Sequence, residues 1–118
     1  MALSAPPALS FQGLVSVEAG RADCPVVCLR GEHDTSSVAV VSDAVASAIA
    51  LGGVDLVVDL SDVQFMDAAT VGLIIRIHKL LQERSGFLVL RSPSARARRV
   101  LDLCDLDLPV LAAVGSEL

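Results

Sequence analysis

Asp55-Leu-Val-Val-Asp-Leu-Ser-Asp-Val-Gln-Phe-Met-Asp67-Ala-Ala-Thr-Val-Gly72-Leu-Ile-Ile-Arg76, continuing to Arg84, is the stretch whose reading decides the fold. Leu56 to Leu60 is a short apolar run with the length and β-branched content of a buried strand. A polar connector follows, then the apolar pair Phe65-Met66. Asp67 stands where a helix N-cap belongs, because its carboxylate can accept from the free N–H groups of a first turn at Ala68, Ala69 and Thr70. From there the apolar period becomes helical. Val71, Leu73, Ile74, Ile77, Leu80 and Leu81 fall on one side, and Gly72, Arg76, Lys79, Gln82 and Glu83 on the other. Ile75 falls among the polar residues beside Gly72, so an apolar side chain next to bare backbone marks a docking spot near the Asp67 turn.

Working outward, 118 residues make one domain with one core. No apolar run reaches the ~20 residues that span a bilayer. Met1 to Ser10 has neither a basic nor an apolar signal region, so the expected location is cytoplasmic, with no membrane contact. A net charge of −5, no Trp or Tyr and three Phe argue against nucleic acid as a partner. Cys24, Cys28 and Cys104 have no paired spacing and read as buried free thiols in a reducing compartment. On a strand, the first two would lie ~13 Å apart, too far for a disulfide.

Residues 1–13 read as a flexible arm and residues 14–118 as the domain. Leu14 to Glu18 alternates as an edge strand, antiparallel to a second strand from Pro25 to Arg30. Gly31-Glu32-His33-Asp34 reads as a solvated turn before a helix carrying Val38, Val41, Val45, Ala48 and Ile49 on one face. Gly86 ends the central helix, and Phe87 to Leu90 is a further strand. Ser94 caps a third helix with Ala97, Val100, Leu101 and Cys104 at core spacing, and Val110 to Val114 is a last strand. The fold class is α/β: a mainly parallel sheet with an antiparallel N-terminal edge strand and three to four helices. Loops leaving the carboxyl ends of parallel strands share one edge, where partners bind. That edge collects Glu32, His33, Asp34 and Thr35, then Asp62, Asp67 and Thr70, then Ser92, Ser94 and Arg96.

There is no phosphate-binding loop, nucleophile elbow or clustered metal-ligand set, so neither an enzyme, a metal nor a cofactor is expected. His33 and His78 lie far apart in sequence. Arg91, Arg96, Arg98 and Arg99 form the one basic cluster.

The stretch from Asp59 to Ile74, with Asp59-Leu60-Ser61 and Phe65-Met66-Asp67, resembles the signature of the STAS domain family, typified by bacterial anti-sigma factor antagonists. Gly31-Glu32-His33-Asp34 is similar to the family's turn after the second strand, and Ser92-Pro93-Ser94 to its later strand–helix junction. The resemblance implies a single STAS-like domain from about Leu14 to Val114. Its implied partner is an anti-sigma factor of the ATP-binding Ser/Thr kinase type, whose capture releases a sigma factor and so regulates transcription. It also implies a phospho-acceptor at the start of the central helix, where a dianion abolishes docking. Here Ala68-Ala69 falls on the family's hydroxyl pair, so Ala69 holds the acceptor position and Thr70 is the displaced candidate. The expected docking residues are Asp34, Thr35, Asp67, Ala68, Ala69, Thr70, Gly72 and Ile75, on a monomer or weak dimer. The alternative is a small-ligand or nucleotide-sensing STAS module, with the Arg96 to Arg99 cluster near the phosphate.

Overall fold

The computed structural model describes residues 8–11, 14–20, 24–50, 54–104 and 110–111. In chain order these form β1 (Ala8–Phe11), β2 (Val15–Glu18), β3 (Val26–His33), a 3-10 turn (Thr35–Ser37), α1 (Val38–Ala50), β4 (Leu56–Met66), α2 (Ala68–Glu83), β5 (Leu88–Arg91), α3 (Ala95–Leu103) and β6 (Val110–Leu111). The six strands lie side by side in sequence order. β1–β2 and β2–β3 are antiparallel, and every later pair is parallel. The α/β class, the parallel sheet and the three helices are as the sequence implies.

Alternation along the strands divides the sheet into two faces. Val15, Val17, Val27, Leu29, Leu56, Val58, Leu60, Leu88 and Leu90 join one apolar core with Val41, Val45, Val71, Ile74, Leu81, Ala97 and Leu101 from the helices. Each Leu or Val fully buried there contributes about 1.5–3 kcal/mol. The alternate residues form a cross-strand row on the other face, Ser16, Cys28, Asp59 and Arg91. That row is held by polar contacts: Arg91 Nε donates to Asp59 Oδ2 at 2.7 Å, and Arg30 Nη2 to Ser16 Oγ at 2.9 Å.

Five expectations change. The segment read as an arm contains β1, so β2 is an inner strand rather than the edge. Residues 1–7 and 12–13 lie outside the described residues. β3 continues through Gly31–His33, which the sequence presents as a turn, and β4 continues through the supposed connector to Met66. These extensions pair Arg30 with Asp62, Gly31 with Val63, Glu32 with Phe65 and His33 with Met66 across two register shifts. A bulged ladder carries polar residues out of step with simple alternation, which hides it from a period-2 reading. Leu80, placed by the wheel on the apolar side, is 40% exposed beside α1. Ile75, placed on the polar side, is half-buried against the core. Of the last expected strand, Val110–Leu111 is described and 112–114 lies outside.

Gly86 closes α2 differently from the expected stop. Its N–H reaches Leu81 O at 2.7 Å and that of Ser85 reaches Gln82 O at 3.0 Å, so Ser85 takes the left-handed position at φ 63°. Gly86 is required for another reason: a Cβ there would collide with the carbonyl oxygen of Val54.

Candidate functional site

The carboxyl ends of β3 and β4 meet at one backbone atom, the carbonyl oxygen of His33. It accepts from Asp67 N at 3.1 Å and from Thr70 Oγ1 at 3.2 Å. Asp67, extended at φ −107° and ψ −179°, caps α2 by accepting from Thr70 N at 3.1 Å. The same carbonyl therefore ties the end of β3 to the first turn of α2.

The His33 side chain is fully buried, not part of a solvated turn. Its Nε2 lies 2.9 Å from Arg30 O, and a carbonyl only accepts, so Nε2 carries the proton. Its Nδ1 lies 3.1 Å from Ser37 Oγ, which lies 3.1 Å from Asp34 O. Burial pushes the imidazole below its ordinary value, against the backbone contacts and Asp34, which favour the cation. His33 is thus a neutral strut beneath the site.

Asp34 caps the 3-10 turn, its Oδ1 accepting from Ser36 N at 2.9 Å and Ser36 Oγ at 2.5 Å. Those bonds, the hydroxyl's first, hold its carboxyl below the usual range. On the third loop, Ser94 caps α3 by accepting from Ala97 N at 3.1 Å, and its hydroxyl donates to Val63 O at 2.7 Å.

The structure brings most of the expected docking residues to this edge. Asp34, Thr35 and Ala68 are exposed, while Asp67, Ala69 and Gly72 are half-exposed. A Cβ on Gly72 would meet only Arg76 Nη1, at 3.7 Å, so the backbone there is open to a close approach. Ile75 sits lower, leaning on the core. Thr70 is turned inward and is 1% exposed, its hydroxyl engaged with His33 O. The first turn of α2 thus presents methyl groups outward and its hydroxyl inward.

The sequence reading missed Phe65. It is 47% exposed whereas its neighbour Met66 is 1% exposed. Phe65 lines a cleft of about 690 Å³ with Glu32, Val63, Gln64 and Arg96. The signal was the pair itself: once β4 is extended, adjacent residues point to opposite faces. The basic cluster does not converge. Arg91 is bound to Asp59, Arg96 lines the cleft, and Arg98 and Arg99 are exposed along α3.

The three thiols are free and half-buried. Cys28 is pushed up to about 11 by burial, then by Glu18 and Asp59. Burial and Asp55 raise Cys24 as well. Both stay protonated at neutral pH and make poor nucleophiles. Among the described residues, no group of His, Cys, Asp and Glu is placed to hold a metal ion, and no helix is long and apolar enough to cross a membrane.

A sequential sheet, three helices and an Asp-capped central helix at the strand ends define the class. The family model described as Mlab, STAS domain matches residues 16–112, and the chain belongs to the STAS domain family. Within it, the chain is 42% identical over 48 residues to a Thermotoga maritima protein provisionally named an anti-sigma factor antagonist. That stretch covers 41% of this chain and 42% of the relative. The solved structure of the Thermotoga maritima protein superposes with a TM-score of 0.71 at 25% identity, covering 86% of this chain and 88% of that one. The phosphorylated form of the Bacillus cell fate determinant SpoIIAA gives 0.70 at 25%, covering 87% and 94%. A Mycobacterium paratuberculosis anti-sigma factor antagonist shares the fold, with a TM-score of 0.75 at 24% identity over 97% of this chain and 94% of its own.

Proposed function

We propose that this chain is an anti-sigma factor antagonist, binding a kinase-type anti-sigma factor through the edge around Asp34, Thr35, Asp67, Ala68, Ala69 and Gly72, and so releasing a sigma factor. The observation that carries the reading is the first turn of α2. Asp67 caps a helix whose outward surface is Ala68, Ala69 and the open backbone of Gly72, a small-residue platform beside exposed carboxylates. Support also comes from relatives of the same fold named anti-sigma factor antagonists.

A phosphate switch at this turn requires an accessible hydroxyl. Ala69 has none, and Thr70 is buried and bonded, so the α2 start is not a kinase target. Docking there is not released by phosphorylation of α2.

The test is affinity capture of the full chain from its source cells, identification of the retained protein by mass spectrometry, and incubation of the pair with ATP. Retention of an anti-sigma factor is expected, with no phosphate on α2 of the wild type. The variant Ala69→Ser is expected to take one phosphate, on the introduced hydroxyl. A wild type that retains no anti-sigma factor, or that is phosphorylated on Thr70, overturns the reading.

A further inference from the structure

β4 outruns its neighbour. β5 pairs with it only from Leu56 to Asp59, whereas β4 runs on to Met66. On that flank Ser94 covers the carbonyls of Leu60 and Val63, through its N–H at 3.1 Å and its hydroxyl at 2.7 Å. On that flank no described strand pairs with β4 beyond Asp59, while β3 stays beside it on the other.

A side chain of the overhang shares a cleft with one from α3. Phe65 is 47% exposed, and although Phe87 is 45% exposed, Phe65 is the one of the two that lines this cleft. Arg96 lines the same cleft, and among the described residues it forms no ion pair. An exposed aromatic ring and an unpaired guanidinium around one cleft are the side-chain types that dominate binding hot spots. The surroundings are acidic: Glu32 lies across from Phe65 in the ladder, and Asp62, Asp34 and Asp67 follow on the edge. A uniformly acidic partner would be repelled by this edge. A partner segment that is neutral or basic opposite these carboxylates, with one carboxylate opposite Arg96, matches the charges of the edge better.

We infer that the docking surface extends from the α2 start onto the β4 overhang, where an extended segment of the partner seats an apolar side chain on Phe65 and a single carboxylate on Arg96. The inference rests on the anti-sigma reading above and names the partner chemistry of the same surface. The Phe65 ring would be anchored by burial, and the Arg96 pair would fix the register of the segment along β4. The Arg96 contribution, made by an exposed cation, weakens as salt screens it.

The experiment compares the amount of anti-sigma factor retained by the full-length wild type, Phe65→Ala, Arg96→Glu and Arg98→Glu, captured from the source cells and quantified by isotope-labelled mass spectrometry. Phe65→Ala and Arg96→Glu are expected to lower retention roughly tenfold, with melting temperatures unchanged, while Arg98→Glu, exposed on the same helix but outside the cleft, stays near wild type. Ala68→Arg at the α2 start serves as the reference loss. If Ala68→Arg abolishes retention while Phe65→Ala and Arg96→Glu keep wild-type retention, the extension is wrong and the anti-sigma reading stands. If Arg98→Glu loses as much as Arg96→Glu, the effect is general charge and the cleft assignment falls. A wild type that retains no anti-sigma factor removes the reading and this inference with it.

Discussion

The two halves of β4 belong to one strand and obey different rules. From Leu56 to Leu60 it is the buried centre of the sheet, paired on both sides from Val57 to Asp59, and Leu56, Val57, Val58 and Leu60 are all 6% exposed or less. Its one charge, Asp59, is tied to Ser61 N at 2.9 Å, Ser61 Oγ at 2.6 Å and Arg91 Nε at 2.7 Å. From Ser61 to Met66 the strand is laddered on one side only, through a shifted register, and exposes Asp62, Gln64 and Phe65. The first half buries its apolar side chains and satisfies its one carboxylate. The second points its apolar Val63 and Met66 inward and leaves the rest available to a partner. The proposed docking surface lies where the strand outruns its neighbour, because there the core holds only some of the residues.

The contrast is most easily broken by truncation. Leu60→Ala removes a fully buried side chain from the core, and a loss of about 2–5 kcal/mol is expected. Phe65→Ala, on the same strand, is expected to stay within about 0.5 kcal/mol, as exposed substitutions do. Urea denaturation with unchanged slopes measures both. Equal losses would mean that the overhang is core and that no comparison exists.

Ser94→Ala tests what holds the overhang in place. Its hydroxyl both caps α3 and donates to Val63 O, so its removal is expected to cost about 1–2 kcal/mol. Proteolytic nicking between Ser61 and Met66 should become faster. A stability change without faster nicking would assign the loss to the helix cap alone.

These contrasts also show what was legible. The buried half of β4, the Asp67 and Ser94 caps and the inward face of α2 could be read from apolar spacing and cap chemistry, since both are local. The extensions could not. Gly31-Glu32-His33-Asp34 and the connector between Leu60 and Phe65 each read as polar breaks, and Gly31 indeed takes φ 77°. Each is a strand only because the other lies beside it, and such pairing leaves no period in either sequence. Leu80 went wrong for a similar reason. It faces Ala46 and Ala50, whose small side chains leave a groove, and the periodicity of α2 holds no information about the size of α1 residues. At the docking edge, the spacing placed Thr70 in the first turn correctly. Its inward rotation is fixed by the His33 carbonyl, a partner 37 residues away.

Thr70→Val tests that link with little change of shape. The variant loses the hydroxyl bond to His33 O and the longer contact of the same hydroxyl with Asp67 Oδ1 at 3.4 Å, while Asp67 N continues to satisfy the carbonyl and Thr70 N the carboxylate. The expected cost is therefore near the net value of one hydrogen bond, about 1 kcal/mol. Partner retention should be unchanged, because the hydroxyl does not face the surface. Lost retention with intact folding would make Thr70 part of the docking surface instead.

The smallest effect is a difference in acid sensitivity between the two halves, and its sign follows from proton counting. His33, beneath the second half, has its pKa lowered by burial from the ordinary 6.5. The unfolded chain therefore binds the proton first, and the stability His33 contributes is complete above pH 6.5 and declines as pH falls through the folded value. Asp59, in the first half, feels burial raising its pKa, but the Ser61 bonds and Arg91 outweigh it and hold the group below the ordinary 3.8. Its contribution is complete above pH 3.8 and is lost only as pH falls below that. Asp34 is lowered too, by Ser36, and adds to the same acid window from the exposed edge. Stability measured against pH should thus decline in two separate windows. His33→Gln should flatten the window just below 6.5 and spare the acid one, and Asp59→Asn should reduce the acid window and spare the other. A His33→Gln profile that still declines just below pH 6.5 would show that the imidazole is not the group being charged, and would remove it from its place as the neutral strut under the proposed docking edge.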